Sequence, residues 1–289
     1  MPLQAGAGEP DLKGLGYVGI GVLFFSTSAL LVRWAAPLSP YEITFGRMAV
    51  AAVALGLVLL AWRRDLGLRR SDLPRFALFG LVTGLHFLLY TASLSFTTIA
   101  HSLSLTYTSP IFVALFSAIF LGESIGARKS AGVIVAVAGI AILVGLEPRL
   151  TPEMLFGDLL AVGSAVCLGF YSVIGRSQRA RYPLLPYAFG AYGFAALWLL
   201  PSAVLESSGA FAPAGVLSVV ALGLLPLALG HTLYNASLRR VHAAYVNLIA
   251  TQEATGGILL GWLALGEVPA PNAWAGWAVT LAGIALVLV

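Results

Sequence analysis

Long apolar stretches separated by short polar breaks run the length of the chain, and their size sets the first expectation. A helix needs roughly 20 mainly apolar residues to cross about 30 Å of hydrocarbon. Ten such stretches can be drawn, at about 14–34, 42–62, 73–95, 99–121, 128–146, 157–176, 186–206, 214–236, 243–265 and 272–289. The connections between them are too short for a soluble domain. The pattern therefore predicts an all-helical polytopic membrane protein of ten transmembrane helices, with backbone polar groups satisfied inside each helix. Residues 1–13 form a tail containing Pro, Gly and acidic residues. It lacks the basic start and cleavage site of a secretory signal, and no myristoylation or prenylation pattern is present.

Composition sharpens this picture. Of 289 residues, 59% are hydrophobic and 10% charged, with a mean hydropathy of +0.93. A soluble domain carries about 45–50% apolar and about 25% charged residues, so a water-soluble enzyme, a disordered chain and a nucleic-acid binder are excluded. The single cysteine, Cys167, allows no internal disulfide.

The net charge of +4 is explained by position. Lys13, Arg63, Arg64, Arg69, Arg70, Arg75, Arg128, Lys129, Arg176, Arg179, Arg181, Arg239 and Arg240, 13 of the 16 basic residues, fall on one side of a ten-span topology. Arg33 and Arg149 fall on the other, and Arg47 lies within the second span. By the positive-inside rule, both termini are expected in the cytoplasm.

An offset of 144 residues exposes a repeat. Tyr90-Thr91-Ala92-Ser93-Leu94 matches Tyr234-Asn235-Ala236-Ser237-Leu238, and Leu121-Gly122-Glu123 matches Leu265-Gly266-Glu267. Ala131-Gly132 matches Ala275-Gly276, and Ala138-Gly139-Ile140-Ala141 matches Ala282-Gly283-Ile284-Ala285. The expected organisation is a tail (1–13), a first repeat (14–146) and a second (157–289). Five helices per repeat is an odd number, so the second copy enters the membrane upside down. Inverted repeats are a signature of secondary transporters, because two near-equivalent halves can exchange conformations around a central site.

In each repeat the fourth helix ends in Leu-Gly-Glu and precedes a Gly/Ala-rich fifth helix, as in Pro110–Glu123 and Glu253–Glu267. On these residues the chain resembles the drug/metabolite transporter superfamily, ten-helix members built from two EamA-type repeats, over essentially its whole length. Within that group it is most similar to the YddG-type amino-acid exporters. Pro110 keeps the family's helix-4 proline. The second copy has Glu253-Ala254 where relatives often read Glu-Pro, which removes the proline that would bend helix 9. The resemblance implies export of small metabolites across a bacterial inner membrane, most of all amino acids of broad range, aromatic and other neutral or polar ones. The alternative within the superfamily is an exporter of drugs, quaternary ammonium compounds or nucleotide metabolites.

Polar residues inside the apolar stretches are the site candidates. Glu253 falls near the middle of the ninth span, where a bare carboxylate costs several kcal/mol; it must be protonated, paired or face a wet cavity. It is either a binding or proton-coupling group, or a packing hydrogen bond between helices. His86 and Tyr90 share a helix face. Tyr234 is the repeat equivalent of Tyr90, and His231 lies nearby. A cavity with aromatic faces and hydrogen-bonding tips suits small amphipathic solutes, although His and Tyr also serve helix–helix contacts. Tyr107, Asn247, Thr251, Phe24 and Tyr171 complete the candidate lining, with Phe25, Ser28 and His101 beside them. Arg47 is expected to snorkel to the outer surface, with attraction of a substrate carboxylate as the other reading. Glu123 and Glu267 are expected to cap the helix that follows each, and Pro201 and Pro226 to bend theirs.

No H-E-x-x-H, G-x-S-x-G or P-loop pattern occurs, and the four histidines are too scattered for a metal site. The chain is expected to be no enzyme and to need no cofactor or nucleic acid. Its partners are the lipid bilayer and a small-molecule substrate, with proton coupling left open and a monomer or weak homo-oligomer expected.

Overall fold

A computed structural model of the chain describes residues 11–64, 69–123, 126–144, 151–210, 212–268 and 271–288. The expected tail up to residue 10, and Arg149, lie outside these residues. The described chain is all helical: α1 (Leu12–Phe25), α2 (Ser28–Trp34), α3 (Pro40–Ala61), α4 (Leu73–Ser93), α5 (Ile99–Thr106), α6 (Ser109–Phe116), α7 (Ala127–Val144), α8 (Pro152–Ser177), α9 (Leu184–Leu205), α10 (Pro213–Leu222), α11 (Thr232–Leu238), α12 (Ala243–Ala250), α13 (Gln252–Leu265) and α14 (Pro271–Leu288). Wider π-helical turns span Ser117–Leu121 and Gly223–His231.

Joined end to end, these pieces give eight stretches long and apolar enough to cross a membrane among the described residues: Leu12–Trp34, Pro40–Ala61, Arg70–Ser93, Ile99–Leu121, Pro152–Ser177, Leu184–Leu205, Pro213–Leu238 and Ala243–Leu265. The 18-residue helices α7 and α14 fall where the fifth and tenth spans are expected. The sixth span begins at Pro152, ahead of the expected 157, because Thr151 accepts from the Met154 amide and Pro152 occupies the first helical turn, where a missing N–H costs nothing. Large apolar side chains such as Leu23, Leu57, Leu60, Leu205 and Leu263 stand exposed around the bundle. Facing lipid, they carry no penalty.

The repeat is visible at atomic scale. Gly122 and Gly266 both take left-handed φ, 65° and 71°, ending the fourth and ninth spans. In both, the next residue reaches back six positions, Glu123 N to Ser117 O and Glu267 N to Gly261 O. Where α7 crosses α14, a Cβ added to Gly139 would meet Thr280, and one added to Gly283 would meet Ala136. These two contacts exchange under the 144-residue offset, as a two-fold axis requires. Positions fall along α14 as they rise along α7, and Asn272 at the start of α14 donates to Ile142 O near the end of α7. The helices are antiparallel, so the axis runs across them, in the plane of the membrane, which is the geometry of inverted repeats.

Three spans are interrupted midway, at Ser26–Thr27, at Tyr107–Thr108 and at Thr251. Hydroxyls at the breaks bond back to carbonyls of the preceding turn, which their own amides also reach: Ser26 to Val22 O, Thr27 to Phe24 O, Thr108 to Leu105 O and Thr251 to Leu248 O. Such back-bonding loosens a helix. The ninth span breaks without a proline, at the repeat equivalent of Tyr107. A proline is therefore not required at this position of the repeat. Pro226 lies in the wide turn of Gly223–His231, whereas Pro201 is carried inside an unbroken α9.

Candidate functional site

Irregular backbone survives at membrane depth where protein buries it or where it lines a cavity. The interruptions at Ser26–Thr27, Tyr107–Thr108 and Thr251, together with the wide turn around Pro226, surround one internal cavity. Its walls are Phe25, Ser28, His86, Phe87, Tyr90, Thr106, Tyr107, Leu168, Pro226, His231, Tyr234, Ala250 and Glu253. Every one of these residues is buried. The cavity holds about 20 Å³, room for about one water.

Glu253 is the acidic centre of the site. Tyr107 donates a short hydrogen bond to its Oε2, and Tyr90 approaches Oε1 at 3.5 Å. The residue is 5% exposed, so the phenols from α4 and the α5–α6 break replace water as its donors. A hydrogen bond to a charged group is worth about 1.5–3 kcal/mol, which offsets part of the desolvation of the carboxyl. The aromatic walls are tightly coupled: the His231 ring lies 4.6 Å from Phe25 and 4.8 Å from Phe87. His86 also lines the cavity, but its Nδ1 is engaged by Ser164, at 2.9 Å from the hydroxyl.

Of the residues singled out from sequence, His86, Tyr90, Tyr107, His231, Tyr234 and Glu253 stand on the cavity wall. Asn247, Thr251, Tyr171 and Phe24 do not. Asn247 lies behind the wall, donating to the Tyr234 hydroxyl at 3.1 Å and accepting from Ser109 at 3.0 Å. Tyr171 accepts from Asn235, Thr251 is committed to its own helix, and Phe25 takes the wall position next to Phe24. Sequence reasoning missed Phe87, Thr106, Leu168, Pro226 and Ala250. A signal existed for one of them: Phe87 is the repeat equivalent of His231, just as Tyr90 is of Tyr234. Thr106 and Ala250 are equivalents of each other, so neither points to the other.

Arg47 is a correction. It does not snorkel: it is 0% exposed, with its guanidinium carbon 4.4 Å from the centroid of the Phe87 ring. Packing of α3 against α9 and the Gly223–His231 turn encloses it, which seven residues of helix from Pro40 could not reveal. Glu42, five residues before it on the same helix, does not pair with it: Glu42 caps its own helix through Ser39 and receives Ser207 and Ser208.

The described side-chain contacts of Glu123 and Glu267 run to the opposite repeat. Arg176 Nε lies 2.9 Å from Glu123 Oε2, and its Nη1 donates to Leu238 O and Val241 O. Arg33 Nε lies 3.4 Å from Glu267 Oε1, and its two Nη atoms donate to Leu94 O and Thr97 O. Glu123, Leu238 and Val241 are the 144-residue equivalents of Glu267, Leu94 and Thr97; the arginines are one residue off that register, which hid them. Each pair latches the two repeats together, at opposite ends of the bundle. The Glu123 end is the tighter: Arg179 adds a second guanidinium at 3.7 Å, and His242 stands beside it with Nε2 at 3.7 Å. Burial holds the His242 imidazole below its ordinary value, against the pull of Glu123.

Among the described residues no group of three or more His, Cys, Asp or Glu could hold a metal ion.

The model of the EamA-like transporter family matches residues 12–145 and again 155–289. A probable terminal-alkyne amino-acid exporter of Streptantibioticus cattleyicolor is 30% identical over 256 residues, covering 85% of this chain and 82% of that one. The aromatic amino acid exporter YddG of Ancylobacter novellus is 29% identical over 228 residues, 76% of this chain and 77% of its own. The pseudopaline exporter CntI of Pseudomonas aeruginosa is 27% identical over 274 residues, 92% and 89% of the two chains. A crystal structure 22% identical to the chain superposes with a TM-score of 0.78 over 96% of both chains, a likeness of fold. Two matched repeats, the two-fold crossing of α7 on α14 and a buried cavity among broken helices converge on one family. The chain belongs to the EamA-like transporter family.

Proposed function

We propose that the chain exports amino acids across a bacterial inner membrane, with both termini in the cytoplasm, by opening its central cavity to each side in turn. The observation that carries this reading is the carboxyl of Glu253, held by Tyr90 and Tyr107 in a buried aromatic cavity with one Arg–Glu latch at each end. The carboxyl suits the ammonium of an amino acid, and the rings suit side chains of varied size. Two relatives named as amino-acid exporters, of similar length, support the substrate class. Alternating access fits a bundle whose halves are equivalent: opening one end requires parting one latch while the other holds.

A second reading follows from the same carboxyl. A cation among Phe25, Phe87 and Tyr234 would gain cation–π attraction, which suits a quaternary ammonium compound.

The test is counterflow in liposomes carrying purified protein, with labelled Thr, Met, Phe, Lys and Glu, and with tetraphenylphosphonium and methyl viologen as cations. Saturable exchange of several amino acids is expected. Imposing a pH gradient separates proton-driven transport, which it accelerates, from facilitated exchange. Exchange of the cations alone would replace the amino-acid reading.

A further inference from the structure

The proposed transport leaves one buried charge without a task. Arg47 sits in α3 with Nε, Nη1 and Nη2 all lacking a hydrogen-bond partner among the described residues. A guanidinium has five donors in a fixed fork, and burying it without an acceptor is among the costliest arrangements in a protein. A residue kept for packing would be expected to have carbonyls or a carboxylate around it. Arg33 and Arg176 of this same chain show that arrangement, each gripping two backbone carbonyls and a glutamate.

The guanidinium lies behind the cavity wall, screened from the cavity by Phe87. It rests on the face of Phe87, a wall residue, within electrostatic reach of Glu253 and Tyr90. The repeat supplies a second, independent argument. The equivalent of Arg47 is Ala191 and that of Glu253 is Ser109, so neither charge is part of the scaffold that the two halves share. One positive and one negative residue, one from each repeat, stand behind and on the wall of an otherwise uncharged aromatic chamber.

We infer that Arg47 is the carboxylate receptor of the transport site, taking the substrate's carboxylate on its guanidinium fork while the ammonium end turns to Glu253 and its phenols. This rests on the amino-acid reading above and deepens it: the substrate must be a zwitterion with a free carboxylate. Planar two-point recognition of a carboxylate is what arginine does and lysine does not. Admission of substrate involves a turn of the Phe87 ring, which gives up its contact with the cation as the carboxylate arrives.

The test is counterflow by the full-length protein in liposomes with L-phenylalanine, L-methionine and L-threonine, each against its own amide, which keeps the ammonium and side chain but has no carboxylate. The wild-type protein is expected to favour each acid at least about tenfold, the equivalent of about 1.4 kcal/mol. Arg47→Met is expected to erase that preference, with a melting temperature in detergent equal to or above wild type, since it removes a buried guanidinium with no hydrogen-bond partner among the described residues. Arg47→Lys, which keeps the charge but not the fork, is expected to retain only part of the preference and serves if Arg47→Met does not fold. Equal exchange of acids and amides by the wild type would overturn the assignment and leave amino-acid transport standing. So would an undiminished preference in either variant, or a lowered melting temperature in Arg47→Met with the preference kept. Exchange of none of the six compounds by folded wild-type protein would overturn both readings together.

Discussion

Glu253 constrains its surroundings through its chemistry alone. A carboxyl near the middle of an apolar span demands donors, and the tyrosines available at helical spacing are few. Tyr90 and Tyr107 supply them. Removing the hydroxyl in Tyr107→Phe takes away one charge-assisted donor, worth about 1.5–3 kcal/mol. A lower melting temperature in detergent is expected, with exchange reduced but present. Glu253→Gln keeps the shape and loses the charge that faces an ammonium, so counterflow of neutral amino acids is expected to fall at least about tenfold, a difference of about 1.4 kcal/mol; wild-type rates in Glu253→Gln would remove the carboxyl from the transport site. Arg47 is not legible in the same way. Its distance from the helix start suits both a snorkelling and a buried side chain, and only the packing of α3 against its neighbours decides between them. Phe24 and Phe25 pose the same difficulty. They differ by about 100° around the helix, and which one faces inward depends on the break at Ser26–Thr27.

At the scale of elements, apolar length alone places the helices, while their interruptions are written in weaker signals. The break in the ninth span has no proline, and the Thr251 hydroxyl there turns back on Leu248 O. A threonine in a helix does not announce which carbonyl it takes. The small-residue pattern is more direct. Ala138-Gly139-Ile140-Ala141 and Ala282-Gly283-Ile284-Ala285 mark the crossing of α7 and α14, where a Cβ on either glycine would strike the facing backbone. Gly139→Ala and Gly283→Ala are each expected to destabilise the protein by about 1–3 kcal/mol, as overpacking does, and by similar amounts because the sites are equivalent. Thermal unfolding of the two variants checks this; one neutral and one severe effect would break the equivalence. The latches escape the sequence because Arg33 and Arg176 differ by 143 positions, one short of the repeat, so the pairing exists in space and not in the alignment of the halves.

For the whole molecule, the inverted arrangement makes the two ends alternatives. The latches are unequal: Arg33 and Glu267 are 29% and 34% exposed, Arg176 and Glu123 12% and 20%, and ion pairs weaken as exposure rises. The Glu123 end, on the basic side of the bundle, is the harder to open. Glu123→Gln is expected to raise the labelling of a cysteine placed at Thr106 by reagents from that side, and Glu267→Gln from the other. Reporter fusions at both termini are expected to read cytoplasmic, as the distribution of 13 of 16 basic residues requires. The central claim is that one cavity is served by two ends that open in turn. Its most direct test replaces Arg33 and Glu267, or Arg176 and Glu123, by cysteine pairs in a Cys167→Ser background, which removes the single native thiol. Counterflow is then measured before cross-linking, after it and after reduction. Cross-linking either pair is expected to stop exchange, and reduction to restore it. Exchange that continues with one end covalently closed would contradict alternating access.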